Sequence, residues 1–232
     1  MEFAPEGPMA IPLWINGHAY LTMGDSFFDV VNPSTGQALR RVPMCGAEEA
    51  AKGVEAARDA QGEWAALGVA ARQLCLANLA DALARYAGHF AKLLMQDIAC
   101  EEADATAEVE AAVMALRALA VGDSGVVALV VGAGHPLLGF ATAAVPALLA
   151  GATMVVKPSP KAPAVAYALC ELASRVEWPA GVLNLLHGDG PAIEGLCAAG
   201  VDRLVFSGDS ELGAQVAALA AKHGTVCELL VA

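Results

Sequence analysis

The residues of this chain whose types could do chemistry lie in its second half, in four short groups. The groups are Lys157 and Ser159; Gly188 and Gly190; Gly208, Asp209 and Ser210; and Glu228. A lysine donates hydrogen bonds to oxygen atoms, and glycine turns permit close approach of a backbone. An aspartate before a helical pattern is a good N-cap, and a glutamate can serve as a general base. Whether these groups form one site depends on the elements that position them.

Those elements alternate along the second half. Apolar runs typical of buried strands cover 126–131, 153–156, 182–186, 204–206 and 226–231. Helical patterns lie between them at 137–149, 164–174, 192–198 and 211–222. Apolar strands separated by helices indicate a parallel sheet covered on both faces. We therefore expect an α/β fold with a doubly wound, five-stranded, Rossmann-like parallel sheet, in which ligands bind at the carboxyl ends of the strands.

The first half has a different pattern. Short extended runs bounded by turn residues lie at 12–15, 27–31 and 38–42, and from Ala47 apolar residues recur at helical spacing. We expect residues 1–120 to form short strands and a helical layer that packs on the sheet of residues 121–232. The two parts together are predicted to make one domain.

Composition excludes several classes of function. The formal net charge of −12 disfavours binding to nucleic acids and to anionic membranes. The stretch 124–156 has no charged residue, but Gly132, Pro136 and Pro146 divide it into pieces too short to span a bilayer. The six cysteines are scattered singly, which predicts reduced thiols, no metal site and a cytoplasmic location.

Three stretches of the second half carry a family resemblance. They are Gly151-Ala-Thr-Met-Val-Val-Lys157-Pro-Ser159, Pro179-Ala-Gly-Val-Leu-Asn-Leu-Leu-His-Gly188-Asp-Gly190-Pro and Val201-Asp-Arg-Leu-Val-Phe-Ser-Gly208-Asp209-Ser210-Glu-Leu-Gly213. In order and spacing these stretches resemble the aldehyde dehydrogenase superfamily. The N-terminal segments Ile15-Asn-Gly17 and Val31-Asn-Pro-Ser-Thr-Gly36 are similar to its opening strands. The resemblance covers nearly the whole chain, as a compact variant of the N-terminal cofactor-binding domain.

The resemblance implies a site for NAD or NADP. Lys157, with Ser159 beside it, matches a lysine that contacts the adenosine ribose. Gly188 and Gly190 match a glycine turn before a helix. The turn Gly208-Asp209-Ser210 matches the one whose helix N-terminus meets the cofactor pyrophosphate. Glu228 matches the general base of the catalytic group.

Several residues depart from that family pattern. Pro160 stands where an acid often holds the ribose hydroxyls, and Gly134 stands where an asparagine side chain lines the oxyanion hole. Asp209 replaces the serine that meets the pyrophosphate, and a carboxylate there would occupy the N–H groups and repel phosphate. The resemblance places the nucleophilic cysteine beyond Ala232. We therefore predict weak or absent binding of NAD(P).

The sequence is compatible with three functions. The first is a non-catalytic structural or regulatory partner, possibly of a full-length dehydrogenase. The second is an NAD(P)-dependent aldehyde oxidoreductase completed by a second polypeptide, and the third is a nucleotide-binding module for another ligand. We expect a homo-oligomer or a partner protein at the carboxyl edge of the sheet, around Val131, Leu186, Phe206 and Leu230.

Overall fold

A computed structural model describes residues 8–22, 26–120 and 122–231. The first half contains strands β1 (Leu13–Ile15), β2 (His18–Tyr20), β3 (Phe27–Val31) and β4 (Ala38–Pro43), then helices α1 (Ala47–Ala66), α2 (Val69–Arg85), α3 (Ala87–Ile98) and α4 (Glu102–Leu116). The second half contains β5 (Val126–Val131), α5 (Pro136–Ala150), β6 (Thr153–Pro158), α6 (Ala164–Arg175), β7 (Leu183–Leu185), α7 (Gly190–Ala198), β8 (Arg203–Gly208), α8 (Ser210–Lys222) and β9 (Cys227–Val231).

The second half forms the predicted parallel sheet. Its strands lie in the order β7-β6-β5-β8-β9, and each neighbouring pair is parallel. The three central strands are mostly apolar and, apart from the ends of β8, buried, because helices cover both faces of the sheet. The α/β fold class and the five parallel strands expected from the sequence are confirmed.

The N-terminal hairpin extends this sheet. Strand β1 pairs antiparallel with β7 through Trp14 and Leu185, and β2 pairs with β1, so the sheet has seven strands in the order β2-β1-β7-β6-β5-β8-β9. Sequence patterning did not predict this addition, because the pairing joins residues far apart in the chain. Strands β3 and β4 form a separate two-stranded sheet.

The core lies in two layers, one on each face of the sheet. Helices α2 to α6 pack on one face, around buried residues such as Leu129, Phe140 and Val205. Helices α1, α7 and α8 pack on the other face, around residues such as Val130, Val155 and Phe206. The helical layer of the first half is therefore divided between the two faces.

The uncharged stretch folds as a strand, a helix and a second strand. Helix α5 begins at Pro136, whose fixed φ suits the first helical turn, and is followed by the capping residue Gly151, which has a φ of 91°. No helix within the described ranges is long and apolar enough to cross a membrane.

Candidate functional site at the carboxyl edge of the sheet

Lys157 lies near the carboxyl end of β6 but points into the protein. Its side chain is buried, with 4% of the residue exposed, and Nζ donates a hydrogen bond to the carbonyl oxygen of Gly188 at 3.0 Å. Burial lowers the pKa of Lys157 to about 8, against an opposing effect of the nearby Asp189 carboxylate. The ammonium group therefore ties β6 to the turn before α7. Ser159 follows it in a half-buried turn, where its hydroxyl oxygen accepts from the N–H of Lys161 at 3.3 Å.

The Gly188 turn requires glycine because the chain passes very close to the start of α1. A Cβ at Gly188 would lie 2.8 Å from the Cβ of Ala192 and 3.0 Å from the carbonyl oxygen of Cys45, and its φ is +130°. Gly190 begins α7 and is half-buried. The packing of this turn on residue 45 is sufficient reason for the first glycine.

A buried histidine and a buried cysteine, neither predicted as a site residue, flank this turn. His187 Nε2 lies 3.0 Å from the carbonyl oxygen of Pro12, while Nδ1 has no hydrogen-bond partner among the described residues. Burial lowers the pKa of His187 to about 4 and raises that of Cys45 to about 12. Both groups are therefore neutral at pH 7. In the sequence, His187 directly follows the apolar run 182–186, and this position could have identified the cluster of His187 and Cys45.

Asp209 caps helix α8, as the sequence predicted. Its carboxylate accepts a hydrogen bond from the backbone N–H of Leu212 at 2.8 Å, and its carbonyl accepts from Gly213 at 3.0 Å. Ser210 is the first residue of the helix and is exposed. Gly208 precedes them at a crowded position, where a Cβ would lie 2.8 Å from Cζ of Phe206. The side chain at residue 209 thus occupies one of the free N–H groups of this helix end.

Two carboxylates from the N-terminal helices cap two further helices. Glu108 of α4 accepts from the backbone N–H groups of Leu137 and Leu138, at 2.9 and 3.2 Å, at the start of α5. Its second oxygen lies 3.6 Å from Nδ1 of His135.

Asp97 of α3 caps the start of α6 in the same way. It accepts from the N–H of Ala164 at 3.1 Å and pairs with Nη1 of Arg40 at 2.6 Å. Burial raises the pKa of Asp97 to about 6, although the Arg40 guanidinium opposes that shift. The sequence did not reveal either cap, because both partners lie far away along the chain.

Every helix that follows a parallel strand therefore begins beside a carboxylate. Glu108 lies at α5, Asp97 at α6 and Asp209 at α8, while Asp189 occupies the N-cap position of α7 without a side-chain cap bond. Anions are stabilised at free helix N-termini, so these carboxylates lie where such helix ends commonly hold an anion.

Glu228 lies near the amino end of β9, within the strand expected over 226–231. It is the second residue of β9 and lies opposite Val205, whereas Val231 lies opposite Gly208. The apolar residues that follow Glu228 also belong to β9. The carboxylate is exposed and lines a cleft of about 270 Å³ with Thr142, Arg203 and residues of α5.

The fold does not bring all of the predicted site residues together. Glu228 shares a sheet face with Val205, and Lys157 shares the opposite face with Val130. Gly134, which stands at the oxyanion position by resemblance, is exposed in the β5–α5 turn beside a second cleft of about 330 Å³ that includes Cys100. Within the described ranges, no three His, Cys, Asp or Glu side chains are arranged to hold a metal ion.

Comparison with known proteins identifies the family. The sequence profile described as the aldehyde dehydrogenase family matches residues 21–122 and 123–231. The chain belongs to the aldehyde dehydrogenase family. The resemblance of the three motif stretches is thereby confirmed, and the match extends over the N-terminal half as well.

Individual aldehyde dehydrogenases agree in sequence and in fold. Lactaldehyde dehydrogenase of Escherichia coli (strain K12) is 29% identical over 95% of this chain and 51% of its own length. An NADP(+) succinate-semialdehyde dehydrogenase of the same strain is 30% identical over 90% of this chain and 48% of its own length. The chain thus spans about half the length of the curated relatives it matches.

Solved aldehyde dehydrogenase structures superpose closely on the fold. The crystal structure of the E. coli lactaldehyde dehydrogenase gives a TM-score of 0.89 at 27% identity, covering 96% of this chain and 52% of that chain. An indole-3-acetaldehyde dehydrogenase of P. syringae, solved in complex with NAD+, gives 0.86 at 27% identity, covering 97% and 51%. The sheet of this chain is therefore the one that aldehyde dehydrogenases contain.

Proposed function

We propose that this chain is a non-catalytic structural or regulatory member of the aldehyde dehydrogenase family, which binds NAD(P) weakly or not at all. The observation that carries the proposal is the Asp209 carboxylate bonded to the N–H of Leu212 at the start of α8. This helix end matches the family's pyrophosphate position. A dinucleotide would have to displace a bonded carboxylate there and would be repelled by its charge.

Two further observations support the proposal. Lys157 donates to Gly188 from a buried position, so the cation that would meet a ribose is engaged elsewhere. Gly134 offers no side-chain amide where the family's oxyanion donor is expected. The residues present at this edge do not fit a dinucleotide held in the family manner.

Calorimetric titration with NAD+ and NADP+ tests the proposal. The wild-type chain is expected to give a Kd no tighter than about 1 mM, or about −4 kcal/mol. Asp209→Ser should tighten binding several-fold, since a charge at a helix end is worth about 1 kcal/mol. Asp59→Ser is the matched control, because Asp59 is exposed on α1, two residues from Ala57, whose carbonyl oxygen accepts from Thr153 at the amino end of β6.

Two results would contradict the proposal. A micromolar Kd for either dinucleotide with the wild-type chain would overturn weak binding. If wild type and Asp209→Ser bind the dinucleotides with equal affinity, Asp209 is not the cause of weak binding.

A second candidate is an NAD(P)-dependent aldehyde oxidoreductase completed by another polypeptide. The accessible Glu228 carboxylate in the α5–β9 cleft favours it, because a general base must be reachable from outside this chain. The same titration separates the candidates, since this activity needs the dinucleotide. Aldehyde-dependent reduction of NAD(P)+ after mixing with a catalytic partner, abolished by Glu228→Gln, would establish it.

A further inference from the structure

A cavity of about 300 Å³ lies between helix α6 and the corner where α2 meets α3. None of the residues that the sequence predicted as a site contributes to it. On the α6 side its lining residues are Ala168, Glu171, Leu172 and Arg175, whose spacing places them on one face of the helix. The chain therefore forms a concave site that the family motifs do not explain.

The floor of this cavity is apolar and partly aromatic. Phe90 of α3 and Leu172 are 2% and 5% exposed, and Ala168 is half-buried. His89 also lines the cavity, with its ring edge-on to Phe90 at a centroid distance of 6.0 Å and an interplanar angle of 87°. Because each liquid water occupies about 30 Å³, the cavity has room for roughly ten non-hydrogen atoms. An aromatic ring with a short polar arm has this size.

The mouth of the cavity is rich in hydrogen-bond donors. Nη2 of the exposed Arg175 donates to Oε1 of Glu171 at 2.7 Å, which leaves the other N–H groups of the guanidinium to meet a ligand. That bond raises the pKa of Arg175, and the Tyr86 phenol beside it acts in the same direction. The Tyr86 hydroxyl and the His89 ring are further donors. A ligand that carries acceptors therefore matches this mouth.

We propose that the cavity binds a small aromatic carboxylate of the phenylacetate type. Its ring packs on Phe90 and Leu172, and its carboxylate accepts from the guanidinium of Arg175 in a charge-assisted hydrogen bond. An amine would meet the positive charge of Arg175, while the Glu171 carboxylate is already paired. A sugar or polyol would leave hydroxyl groups without partners on the apolar floor.

The cavity is separate from the carboxyl edge of the sheet. Helix α6 begins at Ala164, near that edge, and Arg175 is its last residue. At a rise of about 1.5 Å per residue, the two ends of the helix are roughly 16 Å apart. Binding in the cavity is therefore independent of dinucleotide binding, and each can fail without the other.

Titration of the 15N-labelled full chain with phenylacetate, followed by 1H–15N spectra, tests the site. We expect saturable shifts centred on α3 and α6, with a Kd below about 1 mM. Arg175→Gln should weaken binding about tenfold, because the charge-assisted hydrogen bond is lost. Arg117→Gln is the matched control, since Arg117 is also an exposed arginine paired with a carboxylate, that of Asp81, and it should bind like wild type.

Filling the cavity tests its position. Ala168→Leu places a larger apolar side chain among the lining residues and should abolish binding of phenylacetate. Ala103→Leu, at an exposed position of α4, is the control and should leave the affinity unchanged. Far-UV circular dichroism and urea unfolding verify that both variants remain folded.

A series of related compounds tests the chemical class. Phenylacetamide keeps the shape but has no charge, so it should bind wild type about tenfold more weakly than phenylacetate and should not distinguish wild type from Arg175→Gln. Acetate lacks the ring and phenethylamine carries the opposite charge, so neither should cause saturable shifts.

Each contrary result overturns the proposal. If phenylacetate causes no saturable shift up to about 10 mM, or if the shifts centre on the carboxyl edge, the cavity is not its site. Unchanged binding to Ala168→Leu would lead to the same conclusion. If wild type and Arg175→Gln bind phenylacetate equally, or if phenethylamine binds more tightly, the cavity does not recognise a carboxylate.

Discussion

Lys157 and His187 are two titratable side chains buried at the carboxyl ends of β6 and β7. The family resemblance assigned Lys157 to the cofactor, and its ammonium group bonds to Gly188 inside the protein. His187 is neutral because burial and the neighbouring Lys157 both disfavour its protonation. At this scale the structure gives Lys157 a structural contact, and its contact with a cofactor stays a prediction.

The pH dependence of stability should reveal the buried His187. Its pKa falls from 6.5 to about 4 on folding, so the unfolded chain binds more protons between these values. The stability that the neutral imidazole contributes is complete above pH 6.5 and is lost as the pH falls toward 4. By about pH 5 wild type should lose about 2 kcal/mol more than His187→Gln.

Urea unfolding at a series of pH values measures this difference. Asp97 has a raised pKa and acts in the opposite direction, but it is present in both proteins and cancels. His89→Gln, at an exposed position of α3, is the control and should follow wild type. Parallel curves for wild type and His187→Gln would contradict a neutral, buried imidazole.

The helices of the second half begin beside carboxylates that come from elsewhere in the chain. Glu108 reaches α5 from α4, and Asp97 reaches α6 from α3. These contacts join the N-terminal helical layer to the parallel sheet and fill the positions where helix dipoles could hold an anion. The N-terminal helices therefore contribute two carboxylates to the carboxyl edge of the sheet.

Glu108→Ala should destabilise the fold through α5. The substitution leaves the N–H groups of Leu137 and Leu138 without their acceptor and removes a charge from the helix end, which costs about 2–3 kcal/mol. Glu110→Ala is the matched control on the exposed side of α4 and should cost less than about 0.5 kcal/mol. Free energies from urea unfolding compare the two variants, and equal values would refute the capping role.

At the scale of the whole molecule, Asn184 connects the N-terminal hairpin to the sheet. Its Oδ1 accepts from the N–H of Asn16 at 2.9 Å, and its Nδ2 donates to the carbonyls of Gly181 and Met154 at 2.7 and 3.2 Å. The side chain is completely buried. One amide thus satisfies groups on three segments that are distant in sequence.

Asn184→Leu should lower the free energy of unfolding by about 2–4 kcal/mol, because it leaves several buried polar groups without partners. Unfolding by urea should remain a single transition, since the hairpin and the sheet share one core. Asn78→Leu, at an exposed position of α2, is the control and should change stability little. A separate early transition in wild type would indicate that the hairpin unfolds independently.

Local sequence was sufficient for the five parallel strands and the helices between them. Runs such as 126–131 are so apolar that they indicate strands of a sheet with helices on both faces. The spacing of apolar residues from Ala47 onward indicates helices. Local sequence was also sufficient for the Asp209 cap, because an N-cap bond spans only three residues. The family motifs, which are local as well, identified the aldehyde dehydrogenase family.

The contacts between distant segments were decided only by the tertiary structure. The inward orientation of Lys157, the caps from Glu108 and Asp97, and the hairpin on β7 each join residues more than 25 positions apart. Burial is also decided by the tertiary structure. Four residues were expected on an open face at the carboxyl edge of the sheet. Three of them, Val131, Leu186 and Phe206, lie in the core, whereas Leu230 is exposed. Sequence determined which elements form, because propensity and periodicity are local, and packing determined which groups remain free to bind.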